Sequence, residues 1–291
     1  MTHVLTLVAK PNSGGIDQAL RALITAGITP WGTSWLAIGE AQDLRLTERP
    51  ATQKLHELLA DIPVDWAVQL EEHRGKALFM SDMDSTMIEN ECIDELADIA
   101  GIGEQIAAIT ERTMRGELDF HESVTERVAA LKGLPKAALD SCYRERIRFS
   151  PGADLLLETL NSLSIQSVLV SGGFTYFTER VAARLGFHRH FANVLDIDGD
   201  QLTGRITPPV LGPTEKLDRL NSEIKERDIR RWRTLAIGDG ANDLPMLEAA
   251  GLGIAYKAKP KVKQQASAVI DHTDLTSVLY FLGLPKTAFS N

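Results

Sequence analysis

Two aspartates stand one residue apart in Phe79-Met80-Ser81-Asp82-Met83-Asp84-Ser85-Thr86, directly after the apolar run 77–80. Carboxylates this close repel one another unless a cation is shared among them. Two more polar clusters follow apolar runs: Ser171-Gly172-Gly173 after SVLV, and Gly238-Asp239-Gly240-Ala241-Asn242-Asp243 after TLAI. Taken together, Asp82, Asp84, Asp239 and Asp243 form an oxygen-only donor set. Such a set favours Mg²⁺, which takes one or two carboxylates, waters and a phosphate oxygen. No histidine cluster accompanies them, so zinc is not indicated. The 171–173 cluster reads as opening the helix FTERVAAR, where backbone N–H groups flanked by glycine make an anion site. Lys216 stands near the start of a helix that Thr214 is placed to cap, and beside a metal and a phosphate it becomes a charge clamp. Each feature also has a plainer reading. Aspartates cap helices and open turns, Ser-Gly-Gly is a common β-to-α turn, and a lone lysine is a solvated surface group. Three clusters at strand ends point instead to one shared pocket.

The elements that must position these groups follow from the apolar pattern. Residues 1–72 read strand (4–9), helix (16–27), a strand pair (33–40 and 43–48), helix (51–62), strand (64–70), which is βαββαβ order. The charged stretch 71–76 reads as a linker. From residue 76 the pattern becomes strand, loop, helix, repeated: strands at 76–80, 165–173, 192–206 with a hairpin, 234–240, 251–256 and 267–272. Near-continuous apolar strands alternating with helices predict an α/β fold with a Rossmann-like, mainly parallel, doubly wound sheet. Residues from about 93 to 148 carry no strand pattern and read as a helical insertion covering the site. The expected division is an N-terminal α+β unit, 1–72, and a second unit, 73–291, with its core at 73–92 and 149–291.

Composition bounds the function classes. The chain has 291 residues and a net charge of −9, which argues against nucleic-acid and anionic-membrane partners. No run of about 18 apolar residues is present, and the first residues lack the basic and apolar regions of a signal peptide. The two cysteines, Cys92 and Cys142, have no metal-ligand spacing, so a reduced cytoplasmic compartment is expected. DMDSTMIENE is not an EF-hand loop, because Met87 stands where glycine is required. No GxxxxGK[ST] P-loop occurs.

DMDST, SGG, Lys216 and GDGAND, in this order, resemble the four signature motifs of the haloacid dehalogenase-like phosphohydrolase superfamily over residues 76 to about 271. Within it, MDSTMIENECIDELA and MRGELDFHESVTERVAALKGL are similar to the phosphoserine phosphatases. The resemblance implies a helical cap after the first motif, Mg²⁺ dependence, and hydrolysis of O-phosphoserine, the last step of serine biosynthesis. It implies that Asp82 is the nucleophile and becomes an aspartyl phosphate, with Asp84 as acid and then base. It implies metal ligation by Asp82, the Asp84 carbonyl and Asp239, with Asp243 orienting them from outside. Ser171, Gly172 and Lys216 would hold phosphoryl oxygens. Glu91 would pair with the substrate ammonium and Arg127 with its carboxylate, while Met114, Phe120 and Asn242 match substrate-side positions. Residues 1–72 resemble ACT-like or ferredoxin-like modules in topology, which implies amino acid binding or a homodimer. Two alternatives stay open: a phosphatase or phosphotransferase for another small phosphomonoester, and a non-catalytic module phosphorylated on aspartate. Asp84 argues against the second, because such a module needs no leaving-group acid.

Overall fold

The computed structural model describes residues 1–212 and 214–290. The N-terminal unit runs β1 (His3–Val8), α1 (Gly15–Thr25), β2 (Gly32–Ala37), β3 (Ala41–Leu46), α2 (Thr52–Leu59) and β4 (Asp65–Leu70). α1 is amphipathic. It buries Ile16, Ala19 and Leu23 at helical spacing against the strands, and the turn that leaves it uses Gly27 at φ 84°. Strands β1, β3 and β4 pair antiparallel with β2 at one edge, and Leu5, Leu7, Leu44, Leu55 and Trp66 fill the core beneath the two helices.

The second unit begins with β5 (Leu78–Ser81). The helical insertion follows as α3 (Cys92–Ala100), α4 (Gly103–Met114), α5 (Phe120–Ala130), α6 (Lys136–Ser141) and a π-helical turn at Cys142–Arg146. Then come α7 (Ala153–Ser162), β6 (Gln166–Phe174), α8 (Thr175–Leu185), β7 (Arg189–Asp198), β8 (Gln201–Thr207), α9 (Glu215–Glu226) and β9 (Thr234–Gly238). The chain closes with α10 (Leu244–Ala249), β10 (Leu252–Tyr256), α11 (Pro260–Gln265), β11 (Ala268–Ile270) and α12 (Ser277–Phe281). Strands β11, β10, β9, β5, β6 and β7 are parallel, and β8 returns antiparallel as the hairpin partner of β7. Chain order reverses at β5, whose neighbours are β6 and β9. That is the switch point where an open α/β sheet leaves a crevice beyond its carboxyl ends. Both faces of this sheet are covered. Phe79 packs on one side with Phe177 and Phe281, while Leu78 and Met80 pack on the other with Leu220, Met246 and Val262.

Two features depart from the reading of the sequence. The sheet is continuous across both units, in the order β2-β3-β1-β4-β11-β10-β9-β5-β6-β7-β8, because β4 pairs antiparallel with β11. The stretch 71–76 is correspondingly packed rather than a free linker. Arg74 meets Asp43 at 2.6 Å and donates to the Tyr280 carbonyl, and the buried Lys76 donates to the Trp232 carbonyl at 2.9 Å. Burial pushes Lys76 down to about 8. The insertion leans on the β7–β8 hairpin through three backbone bonds: Gly133 N–H to Leu202, Leu202 N–H to Leu134, and Lys136 N–H to Asp200. No helix among the described residues is long and apolar enough to cross a membrane.

Candidate active site

Parallel pairing brings the ends of β5, β6 and β9 to one edge, with Ser81 opposite Leu169 and Ile237. Asp82 follows β5 directly and is 6% exposed. Its N–H donates to the Ile237 carbonyl, and one carboxylate oxygen accepts from the Met83 N–H at 2.7 Å. The loop then winds tightly, the N–H groups of Thr86, Met87 and Ile88 all donating to the Met83 carbonyl. Ser85 adopts φ 53°, a left-handed conformation. The two aspartates are held by different partners. Asp84 accepts at one oxygen from the Cys92 N–H, the first residue of α3, and at the other from the Ser171 hydroxyl, both at 2.9 Å.

Lys216, from the first turn of α9, is buried behind Asp82. Its ammonium lies 2.6 Å from Asp82 Oδ2 and 2.5 Å from Asp243 Oδ1. The fully buried Asp243 also accepts, at its other oxygen, the N–H groups of Asp239 and Gly240. Gly238 is required here: a Cβ at that position would stand 2.4 Å from the Asp243 carboxyl carbon. Carboxylate oxygens of Asp82, Asp239 and Asp243 all lie within 4.8 Å of one another. Burial, then repulsion from Asp243, pushes Asp82 well above the usual carboxylate range, with Lys216 opposing. The same two causes push Asp239 up to about 6. Burial pulls Lys216 down, but Asp243 and Asp82 outweigh it and raise its pKa.

These groups open on a pocket of about 480 Å³ between the sheet edge and the helical insertion. The sheet side contributes Asp82, Asp84, Ser171, Gly172, Asp239 and Asn242, the loop leading into α3 contributes Glu91, and the insertion contributes Phe120 and Arg127. The Phe120 ring reaches down to the sheet, close enough that a methyl group at Gly172 would stand 3.6 Å from its tip. Glu91 is exposed at the rim and accepts from the Ser85 hydroxyl at 2.6 Å. Desolvation by surrounding protein, then the charge of Asp84, pushes it up to about 7. Arg127 is half-buried, and desolvation lowers its pKa while Asp94 and Glu91 oppose.

The pocket therefore joins nine of the residues singled out from the sequence. Lys216 and Asp243 lie behind it rather than in its wall, and the side chain of Met114 lies outside the described residues. One local expectation changes. Ser171, Gly172 and Gly173 do not open a helix: β6 continues to Phe174, re-pairing with β7 at Asn193 after an irregularity, and α8 starts at Thr175. Ser171 is held by its own turn, its hydroxyl accepting from the Gly173 N–H at 2.8 Å. Sequence reasoning missed Asn193, which is 1% exposed. It donates to the Gly172 carbonyl and accepts from the Leu211 N–H, fixing the glycine segment. It also missed Asp94, Thr110 and Lys259 in the pocket wall. A polar residue at an inward strand position was the available signal for Asn193.

The family model for haloacid dehalogenase-like hydrolases matches residues 79–248. The chain is 44% identical over 207 residues to the phosphoserine phosphatase of Polaromonas sp., covering 69% of this chain and 88% of that one. It is 42% identical over 213 residues to the phosphoserine phosphatase of Archaeoglobus fulgidus, covering 73% of this chain and 62% of the relative's length. Among solved structures, a HAD family hydrolase from Salmonella enterica serovar Typhi superposes with a TM-score of 0.86 at 32% identity, covering 97% of this chain and 98% of that one. A phospho-aspartyl intermediate analogue of phosphoserine phosphatase superposes with a TM-score of 0.66 at 37% identity, covering 71% and 98%. The chain belongs to the haloacid dehalogenase-like hydrolase family, on its phosphoserine phosphatase branch.

Proposed function

We propose that the protein hydrolyses O-phosphoserine to serine and phosphate, with Asp82 as the attacking group. The observation that carries this reading is the composition of the pocket's lining. Two carboxylates one residue apart share a pocket of about 480 Å³ with an acid and an arginine suited to an amino acid's two charges. A phosphoserine phosphatase of the same fold, related in sequence, has been captured as an analogue of the aspartyl-phosphate state.

In this mechanism an Asp82 oxygen forms a bond to phosphorus as the bond from phosphorus to the seryl oxygen breaks. Asp84 gives its proton to the leaving oxygen. It then takes one from the water whose oxygen attacks phosphorus and frees Asp82. The Cys92 N–H and the Ser171 hydroxyl hold the Asp84 carboxylate for this work. Ser171 and Gly172, which line the same pocket as Asp82, would receive phosphoryl oxygens, and Lys216 supports the Asp82 carboxylate from behind. Glu91 meets the ammonium and Arg127 the carboxylate, under the Phe120 ring that shields the site from water.

The donor set fits a divalent cation. Asp82, the Asp84 carbonyl and Asp239 would hold it, and their oxygen-only chemistry suits Mg²⁺. Asp243 is near enough to ligate, but its oxygens are already engaged by Lys216 and two N–H groups, so it serves as the holder. When bound, the ion neutralises charge on the transferring phosphoryl group.

The exposed Trp31 and Trp35, just before and within edge strand β2, support a homodimer through the N-terminal unit. The test of function is phosphate release from a panel of phosphorylated metabolites, with and without Mg²⁺. Wild type should prefer phosphoserine, Asp82→Asn should release none, and Arg127→Gln should raise KM for phosphoserine far more than for an aryl phosphate. Equal loss on both substrates would reject amino acid recognition.

A further inference from the structure

A second cavity, of about 600 Å³, lies at the seam between the two units and shares no lining residue with the catalytic pocket. It sits on the same edge of the continuous sheet, beyond the ends of β1, β10 and β11. One wall is the stretch after β1, including Lys10, with Glu40; the other is Pro151, Leu155, Lys257, the 271–277 segment and Phe289. The far wall is fixed in place. The fully buried Asp65 accepts the N–H groups of Asp271, His272 and Thr273 at 2.7–2.9 Å, which anchors that segment to β4.

The charges around the cavity are unevenly satisfied. Glu40 is paired with Lys286 at 2.7 Å and Asp271 with Lys263 at 2.6 Å. Asp274 is turned into its own loop, accepting from the Thr276 N–H and hydroxyl. Lys10 and Lys257 line the same space and, among the described residues, neither forms an ion pair with a carboxylate. Lys257 is held in a left-handed backbone conformation, φ 44°, its N–H donating to the Ile270 carbonyl. Two exposed ammonium groups without a carboxylate partner, that of Lys257 lying 5.2 Å over the Tyr256 ring, stand on opposite units beside a wall of Val8, Pro151, Leu155 and Phe289 and make a site for an anion with an apolar body. A bare inorganic anion would leave that wall wet.

We propose that the seam cavity binds a small organic carboxylate, its anionic end at Lys10 and Lys257 and its carbon skeleton against Pro151, Leu155 and Phe289. Because both units contribute, the ligand binds the assembled fold and not the unfolded chain, and so raises Tm with concentration.

The experiment uses the full chain, with 3-phenylpropionate as probe and 3-phenylpropanol and inorganic phosphate as controls, read by calorimetry and thermal unfolding. The acid should bind and raise Tm, and the alcohol should not. Lys10→Gln and Lys257→Asn, asparagine being tolerant of the left-handed backbone, should each weaken binding by about tenfold. Arg127→Gln should bind as wild type does, which separates this cavity from the catalytic one. No heat and no Tm rise with the acid would overturn the proposal. So would equal binding by the double lysine variant, loss of binding in Arg127→Gln, or phosphate acting as well as the acid. No readout uses turnover, so the outcome is independent of the catalytic reading.

Discussion

Lys216→Met tests the electrostatic design of the site, because it removes the cation that Asp82 and Asp243 share while keeping an unbranched side chain. At 2.6 and 2.5 Å, and at an effective dielectric of about 20, each contact amounts to about 6 kcal/mol of gross Coulomb attraction. The desolvation of three buried charges opposes this, so breaking such a cluster costs about 3–5 kcal/mol net. Without added metal the variant should therefore unfold at clearly lower urea concentration. Turnover should fall about 10²- to 10³-fold, the usual cost of losing one preorganised charge contact to a reacting centre. Divalent-ion affinity should move in the opposite direction. Asp82, Asp239 and Asp243 keep their carboxylates within 4.8 Å of one another and lose a competing positive charge, so Mg²⁺ should bind more tightly and restore more stability than in wild type. Urea unfolding with and without Mg²⁺, calorimetric Mg²⁺ titration and phosphate release measure the three effects. Unchanged turnover, or weaker Mg²⁺ binding in a folded variant, would refute the reasoning.

Glu91 is pushed up to about 7, and only its ionised form attracts an ammonium. KM for phosphoserine should rise as pH falls through that value, and Glu91→Gln should flatten the profile. Asp239 is raised to about 6, so protons compete with the metal below that pH; calorimetric Mg²⁺ affinity should decline there. Gly238→Ala should lose activity and about 1–3 kcal/mol of stability by urea unfolding, because its Cβ would overlap the Asp243 carboxyl. Asp65→Ala strands the N–H groups of 271–273 and should cost about 3 kcal/mol, seen as a Tm lowered by several degrees with kcat retained.

What the sequence made legible depended on the range of the interaction. Asp82 and Asp84 were readable because the signal is local: an apolar run that ends in carboxylates cannot continue as a strand interior. Lys216 was harder, since one lysine in a helix is ordinarily solvated. Its clue lies in helical phase. Lys216, Leu220 and Glu223 fall at i, i+4 and i+7 and are all buried, so the apolar stripe of α9 carries a cation at one end and an anion at the other. A charge inside a buried stripe must find partners. Lys216 finds Asp82 and Asp243, and Glu223 finds Arg189 and Arg227.

The seam was not legible at all. β4 and β11 meet through Ala67–Ala268 and Trp66–Val269, a register between residues some two hundred positions apart that leaves no local periodicity. Asp65 alternates in β4 like any edge residue until the 271–273 segment arrives to donate to it. The irregular end of β6 follows the same logic. Glycines at 172 and 173 suit a turn by local preference, and the neighbouring strand holds the segment extended, through the Asn193 side chain and the renewed pairing at Phe174. The groups proposed to do the chemistry were thus readable from neighbours in sequence, while the groups that hold them were set by pairing across the sheet. Errors in reading such a chain should concentrate in the supporting residues, where Asn193, Asp65 and Arg74 were found.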